Sequence, residues 1–297
     1  MRCIINGSND PALSLAAEEY LLTEKTDGDW LMLWISRPSI IVGKFQNVYG
    51  EVSISECERA GVPIFRRNSG GGTVYHDSGN LNYTVVTDRS DNSLDYARFL
   101  EPVVDFLASL GVKADIADTS ALFVGDKKIS GNAQSTVGVR VMHHGTLLFD
   151  ADLDALHRLT GHAREKIKSK SIASKPSPVT NIRPLLTRDM TLAEFEEKLA
   201  SALSSERCNF SGEEMKKIES LAEEKYRTWT WNFGRSPAFT LLCDGLELTA
   251  RHGVIEASSV YNDVLAGVKL IPDEIKKALS NTASVEEIER ITNIIFD

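Results

Sequence analysis

Apolar residues recur at helical spacing through residues 12–25, ALSLAAEEYLLTEK, where Leu13, Ala16, Ala17, Tyr20 and Leu21 share one face. Asp10 and Pro11 ahead of them supply the side-chain acceptor and fixed φ that suit a helix start. The period then changes. LMLWI and IIVG are short, apolar and β-branched, and read as strands on either side of a turn at Arg37-Pro38-Ser39. FRR closes a further strand before NSGGG interrupts it, and LNYTVVT at 81–87 returns to extended structure. Phe99, Val103, Phe106 and Leu110 mark a second amphipathic helix over 99–110, with Gly111 suited to its C-terminal cap. ALFVGDKKISG reads as a hairpin turning at Gly125-Asp126, and RVMHHGTLLF as another strand.

Residues 161–180, rich in Lys, Ser and Pro, read as a mobile basic loop. Helices are expected near 191–205 and 213–227, and Gly-Arg-Ser-Pro within WTWNFGRSPAF suits a link between domains. TLLCDGLELTARHGVIEASSVY alternates apolar and polar residues around Asp244-Gly245 and His252-Gly253, as a small antiparallel sheet would. Two terminal helices follow, the last opened by Ser284 with Glu287 in a capping-box pattern. Helix and strand mix without the regular alternation of a doubly wound sheet. The expectation is an α+β fold, with a catalytic domain over 1–232 and a small α+β domain over 237–297.

Composition narrows the function classes. With 42% hydrophobic and 25% charged residues, the 297-residue chain can bury a sizeable core. Its 33 basic residues against 42 acidic ones give a net charge of -9, which argues against broad contact with nucleic acid or an anionic membrane. A local basic cluster remains able to hold a nucleotide. The cysteines at 3, 57, 208 and 243 form no CxxC pattern, no secretion signal precedes them, and no apolar run approaches the ~20 residues of a membrane span. A cytoplasmic protein is expected, with reduced cysteines and no membrane segment.

The chemistry gathers in three stretches. RRNSGGGTVYHDSGN at 66–80 sets two arginines before three bare glycines. Such backbone lets N–H groups approach an anion, and a guanidinium beside them suits phosphate or carboxylate. Arg66 and Arg67 alternate across a strand, so one faces a site and the other makes structural contacts. A glycine-rich turn with solvated arginines is the plain alternative, and no GxxxxGK[ST] pattern or strand–GxGxxG–helix context occurs. In GDKKISGNAQ at 125–134, Lys127 and Lys128 take opposite faces of a strand, so one can point inward. In HHGTLL at 143–148, His143 and His144 also face apart and cannot chelate one metal together. His76-Asp77 lacks ligand spacing too, so no metal ligand is assigned.

Together with RPSIIVGKFQN and KYRTWTWNFGRSPAF, these stretches resemble the A-type lipoate–protein ligases, which are related in fold to biotin–protein ligases. The resemblance spans nearly the whole chain. It implies activation of lipoate by ATP to lipoyl-AMP, then transfer of the lipoyl group to a lysine. The targets it implies are lipoyl domains of 2-oxoacid dehydrogenase E2 subunits and the glycine-cleavage H protein. By position, it implies that Arg67, Gly72, Thr73, Val74 and Tyr75 meet ATP or adenylate. Lys128 would reach both the acyl carbonyl and the α-phosphate, and Ser69, Gly70, Gly71 and Ala133 would line the lipoate tunnel. His76, Asp77, Asn80 and His144 would support the site, and Mg2+ would neutralise the triphosphate.

Two places depart from the family pattern. Thr119, Ser120 and Ala121 stand where the family has Arg-Asn-Asp, and Ser177-Pro178-Val179 where it has Ser-Arg-Val. An alternative is a lipoyl or octanoyl transferase using a ready-made acyl-adenylate or an acyl carrier. Carrier-dependent relatives use a cysteine, and none of the four falls between Lys128 and the basic loop. Cys57 reads as a packing residue. A non-catalytic binding module would have lost Lys128 or the glycine loop, and both are present. The basic run Arg164, Lys166, Lys168 and Lys170 is a candidate docking or lid surface, with a solvated loop as its alternative.

Overall fold

The computed structural model describes residues 1–89, 95–160 and 164–297, with the Arg164 side chain outside that description. Among these residues the largest element is an eight-stranded mixed sheet. Its spatial order is Glu206–Arg207, Arg2–Asn6, Trp30–Ile35, Asn80–Asp88, Arg140–Leu148, Lys127–Val137, Ala121–Val124 and Asp115–Ala117. The first three strands run parallel, and every later neighbour is antiparallel.

The strand period of two sorts side chains onto two cores. Leu31 and Leu33 join Leu100, Phe106 and Phe195 from helices Ala97–Ser109 and Leu192–Leu203. Trp30, Met32 and Trp34 join Leu15 and Ile218 from helices Pro11–Glu24 and Gly212–Leu221. Each such side chain stabilises the fold by roughly 1.5–3 kcal/mol through burial. The first helix starts where expected: Asp10 accepts a hydrogen bond from Ala12 N at 3.0 Å, and Pro11 fills the first turn. Gly111 follows the end of Ala97–Ser109 with φ +86°.

A smaller sheet of Ile64–Arg66, Ser39–Val42 and Val74–His76 carries the glycine loop. Although Ser39–Val42 follows Trp30–Ile35 closely in sequence, the two strands lie in different sheets. The third sheet, Ile167–Ser169, Phe239–Cys243, Leu246–Arg251 and Val254–Ser258, is antiparallel throughout. It shares a core with the small sheet, where Tyr49 stacks on Phe239 with ring centroids 5.4 Å apart.

Two expectations change here. The stretch 161–180 is not wholly a loop: of its described part, Ile167–Ser169 pairs with Phe239–Leu241, and residues 178–180 bracket Lys128 through backbone hydrogen bonds. Segments this short show no hydrophobic period of their own. The C-terminal tail holds three helices rather than two, Asn262–Leu265, Pro272–Leu279 and Val285–Phe296. Ser284 Oγ accepts from Glu287 N at 3.2 Å, as the capping pattern requires. Among the described residues, no helix is long and apolar enough to cross a membrane.

Candidate active site

A cavity of about 440 Å³ lies on the Trp34 face of the large sheet. Its floor follows from strand register. Trp34 pairs with Asn82, Asn82 with Thr146, and Gly131 with Ala121, while Gly131 N donates to Thr146 Oγ1 at 3.2 Å. These residues form one row across five strands, and all of them line the cavity. Two residues along the strands, Thr84, His144 and Ala133 form a second row on the same face. Leu15 and Glu18 of the first helix, the glycine loop and residues 172–177 complete the walls.

The two arginines divide as strand alternation dictates. Arg66 is fully buried and donates to the carbonyls of Gly43, Gln46 and Asn232 and to Ser236 Oγ, which makes it structural. Arg67 lines the cavity and donates to Ser69 Oγ at 3.0 Å and Ile41 O at 3.2 Å. Burial pulls its pKa down to about 10, against the opposing pull of Glu18. Gly71 holds φ +86°, and a Cβ there would stand 2.9 Å from Arg67 Nη2, so bare backbone is needed on both counts.

Lys128 is half-buried in the cavity wall, whereas Lys127 is exposed. Its side chain lies over Gly131, where a Cβ would come within 3.1 Å of Nζ. Burial lowers the Lys128 pKa, Asp118 opposes that, and Arg67 adds to it. Asp118 sits exposed on the cavity rim at φ +50°, followed by Thr119 at φ +61°. Pro178 O accepts from Lys128 N at 2.8 Å, and Thr180 N donates to Lys128 O at 3.0 Å, so the covering segment is paired to the lysine strand. Ser174 fastens that segment to the glycine loop. Its hydroxyl accepts from Thr73 N at 2.8 Å and Gln46 Nε2 at 2.9 Å, and donates to the buried Glu51 carboxylate.

Behind the loop, Ser69 Oγ lies 2.6 Å from His144 Nε2, and His144 Nδ1 lies 2.9 Å from Glu18 Oε1. Serine, histidine and carboxylate in line can activate a nucleophile. Here Ser69 is 1% exposed and lies behind Arg67 and His144 rather than in the cavity wall. Ser69 Oγ accepts from Arg67 Nε and lies against His144 Nε2, and His144 Nδ1–H donates to the Glu18 carboxylate. Thr84 Oγ1 also donates to Glu18 at 2.6 Å. The chain of bonds anchors Arg67 and the loop to the first helix.

The structure thus gathers Arg67, Gly71, Gly72, Thr73, Val74, His76, Lys128, Ala133 and His144 around one cavity. Other candidate residues sit elsewhere. Tyr75 alternates into the core beneath the small sheet, and Gly70 packs near the exposed Phe45. Asp77 accepts from Gly79 N at 2.9 Å and Asp152 N at 2.7 Å, and Asn80 donates to Asn82 Oδ1 at 3.0 Å; both hold a turn beside the site. His143 faces away from His144 and stacks on Phe99 with centroids 4.7 Å apart. Lys168 and Lys170 are exposed along the edge of the third sheet. Sequence reasoning missed Glu18, Trp34, Asn82, Asp118 and Ser174. No local pattern singles them out: even Glu18 lies off the face that Leu13, Ala16, Ala17, Tyr20 and Leu21 mark on the first helix. None of the four cysteines lines the cavity, and burial pushes Cys57 up to about 12.

Residues 10–204 match the family of the lipoyl protein ligase A/B catalytic domain. The chain belongs to that family. Lipoate–protein ligase 1 of Staphylococcus aureus is 37% identical over 272 residues, covering 87% of this chain and 83% of the relative. Among solved structures, a lipoate–protein ligase A bound with ATP superposes with TM-score 0.68 at 25% identity, covering 79% of this chain and 98% of that one. A putative lipoate protein ligase from Thermoplasma acidophilum with bound lipoic acid gives 0.68 at 26% identity, covering 78% and 98%. A bi-partite archaeal ligase from the same organism, described with its E2 lipoyl domain, gives 0.69 at 25% identity, covering 79% and 96%.

Proposed function

We propose that this chain is an ATP-dependent lipoate–protein ligase. The observation that carries the reading is one cavity lined by Lys128, Arg67 and bare glycine backbone together with the cross-strand row from Trp34 to Ala121. The relatives' names and the ATP and lipoic acid in similar structures support it. In the first step a lipoate carboxylate oxygen bonds to the α-phosphorus of ATP, and the bond to pyrophosphate breaks. In the second, the amine of the target lysine attacks the acyl carbonyl, loses its proton, and AMP leaves. Lys128 in its charged form stabilises negative charge on the carbonyl and α-phosphate oxygens in both steps. Gly71, Gly72 and Thr73 line the same cavity, with the Thr73 N–H donated to Ser174 Oγ.

The residues fit a divalent cation carried by the triphosphate. Of the two carboxylates on the cavity wall, Glu18 is engaged by His144 and Thr84, while the Asp118 carboxylate makes no hydrogen bond or ion pair among the described residues and only its backbone carbonyl accepts, from Thr119 and Ser120. Mg2+ on a nucleotide needs only one or two protein carboxylates, and Asp118 would be one. The cation would offset phosphate charge.

The acceptor is a lipoyl domain of a 2-oxoacid dehydrogenase E2 subunit, with the glycine-cleavage H protein as a second target. Residues 237–297 act as a small accessory domain that shifts between adenylation and transfer. Because Ile167–Ser169 belongs to their sheet, such a shift would carry the covering segment with it. Lipoylation of a purified apo lipoyl domain with ATP and lipoate tests the reading. AMP and pyrophosphate formed in step with lipoylation are expected; lipoylation only from supplied lipoyl-adenylate would instead mark a transferase.

A further inference from the structure

Asp118, Thr119 and Ser120 turn the chain from strand Asp115–Ala117 into strand Ala121–Val124 at the cavity rim. Ala117 pairs with Ala121 and Ala121 with Gly131. The turn thus stands two strand steps, roughly 10 Å, from the backbone over which Lys128 Nζ lies. It is strained and firmly held. Asp118 sits at φ +50° and Thr119 at φ +61°, a left-handed conformation that a β-branched residue rarely adopts. Ser120 N donates to Asp118 O at 2.8 Å, and Ser120 O accepts from Asn132 N at 2.9 Å and Nδ2 at 3.1 Å. Tyr83 Oη in turn donates to Asn132 Oδ1 at 2.6 Å. Backbone constrained in this way fixes where the Asp118 carboxylate leaves the chain.

The charges around it favour one kind of visitor. Arg67, Lys128 and Lys175 place three cations on the cavity wall. Of the two wall carboxylates, Glu18 is 2% exposed and held by His144 and Thr84. Asp118 is exposed, and its carboxylate has no partner among the described residues. A lysine presented by another protein arrives from solvent as an ammonium and meets like charge on this wall. Asp118 is the wall carboxylate placed to offset it.

We propose that Asp118 is an acceptor-binding residue, which holds the amine of the incoming lysine against the acyl carbonyl at Lys128 during amide formation. The inference rests on the ligase reading and goes further by naming what receives the acceptor. Pyrophosphate has left before this step, so the carboxylate no longer faces a triphosphate. It accepts one N–H of the amine, which turns the nitrogen lone pair toward the carbonyl carbon. The lysine sheds one proton to water at the exposed rim before it attacks. A second proton follows as the carbon–nitrogen bond forms and the bond from the carbonyl carbon to the phosphate oxygen breaks, its electron pair leaving with AMP. Positive charge building on nitrogen is met by Asp118, and negative charge building on oxygen by Lys128.

The test is transfer from supplied lipoyl-adenylate, with a chelator present and no ATP, so that divalent cations take no part. Two acceptors are compared, an apo lipoyl domain and hydroxylamine, a small amine that is largely uncharged at slightly alkaline pH. The variant is Asp118→Asn, which drops the charge, keeps the size and tolerates the left-handed backbone. The ratio of the two second-order rate constants, taken within one protein, cancels any loss of folded enzyme or displacement of Lys128. The variant is expected to lower the domain-to-hydroxylamine ratio roughly tenfold. A ratio equal to that of wild type would overturn the proposal and leave the ligase reading standing. Wild type that transfers to neither acceptor would overturn that reading and this inference with it.

Discussion

The two ends of the cavity are built in opposite ways. At the Lys128 end, the residues come from a hairpin, a glycine loop and a covering segment, and Asp118 on the rim is exposed. At the Trp34 end, the walls are the large sheet and the first helix, and the side chains are almost wholly buried. Chemistry that moves charge needs backbone able to close and reopen around a nucleotide. Recognition of an apolar chain needs walls that do not move. The Ser69–His144–Glu18 chain of hydrogen bonds joins the two, tying the glycine loop to the first helix.

If this division is right, damage at the first end should be kinetic and damage at the link structural. The largest effect is expected from Lys128→Ala: amide formation from supplied lipoyl-adenylate should fall about 10²- to 10³-fold with little change in melting temperature. Glu18→Ala leaves His144 Nδ1–H and Thr84 Oγ1 without their buried acceptor, at a cost of roughly 2–4 kcal/mol in urea unfolding. An unchanged midpoint there would mean that the link does not bear on the fold.

Smaller effects sharpen the picture. Only protonated Lys128 carries the needed charge, and burial lowers its pKa, so exchange should decline on the alkaline side earlier than for a solvated lysine. Asp118 opposes that lowering, so Asp118→Asn should move the alkaline limb to lower pH. It should also weaken Mn2+ binding to the ATP complex, read by electron paramagnetic resonance, by roughly 3- to 10-fold. A limb that stays in place would remove Asp118 from the account. Ser174→Ala deletes the hydroxyl joining the cover to Thr73 and Glu51, and should raise the KM for ATP about fivefold or less.

Much of this was legible in the sequence wherever one strand decides the outcome. Alternation alone separated Arg66 from Arg67, Lys127 from Lys128 and His143 from His144, and the resemblance picked Lys128 and the glycine loop. What stayed hidden depends on partners far away in the chain. The row from Trp34 to Ala121 is written by the register of five strands, and no local pattern shows that those residues are neighbours. Ile167–Ser169 is too short to reveal a period, and its partner lies some seventy residues on, at Phe239–Leu241. Tyr75 and Asp77 lie inside the motif, yet alternation and turn geometry give them core and backbone-holding roles.

Lipoate-dependent ATP–pyrophosphate exchange on wild type and Lys128→Ala tests the central claim most directly. The account predicts exchange that requires lipoate and falls about 10²- to 10³-fold in the variant. Wild-type protein that shows no exchange, yet lipoylates an apo lipoyl domain from supplied lipoyl-adenylate, would contradict it and leave a transferase in its place.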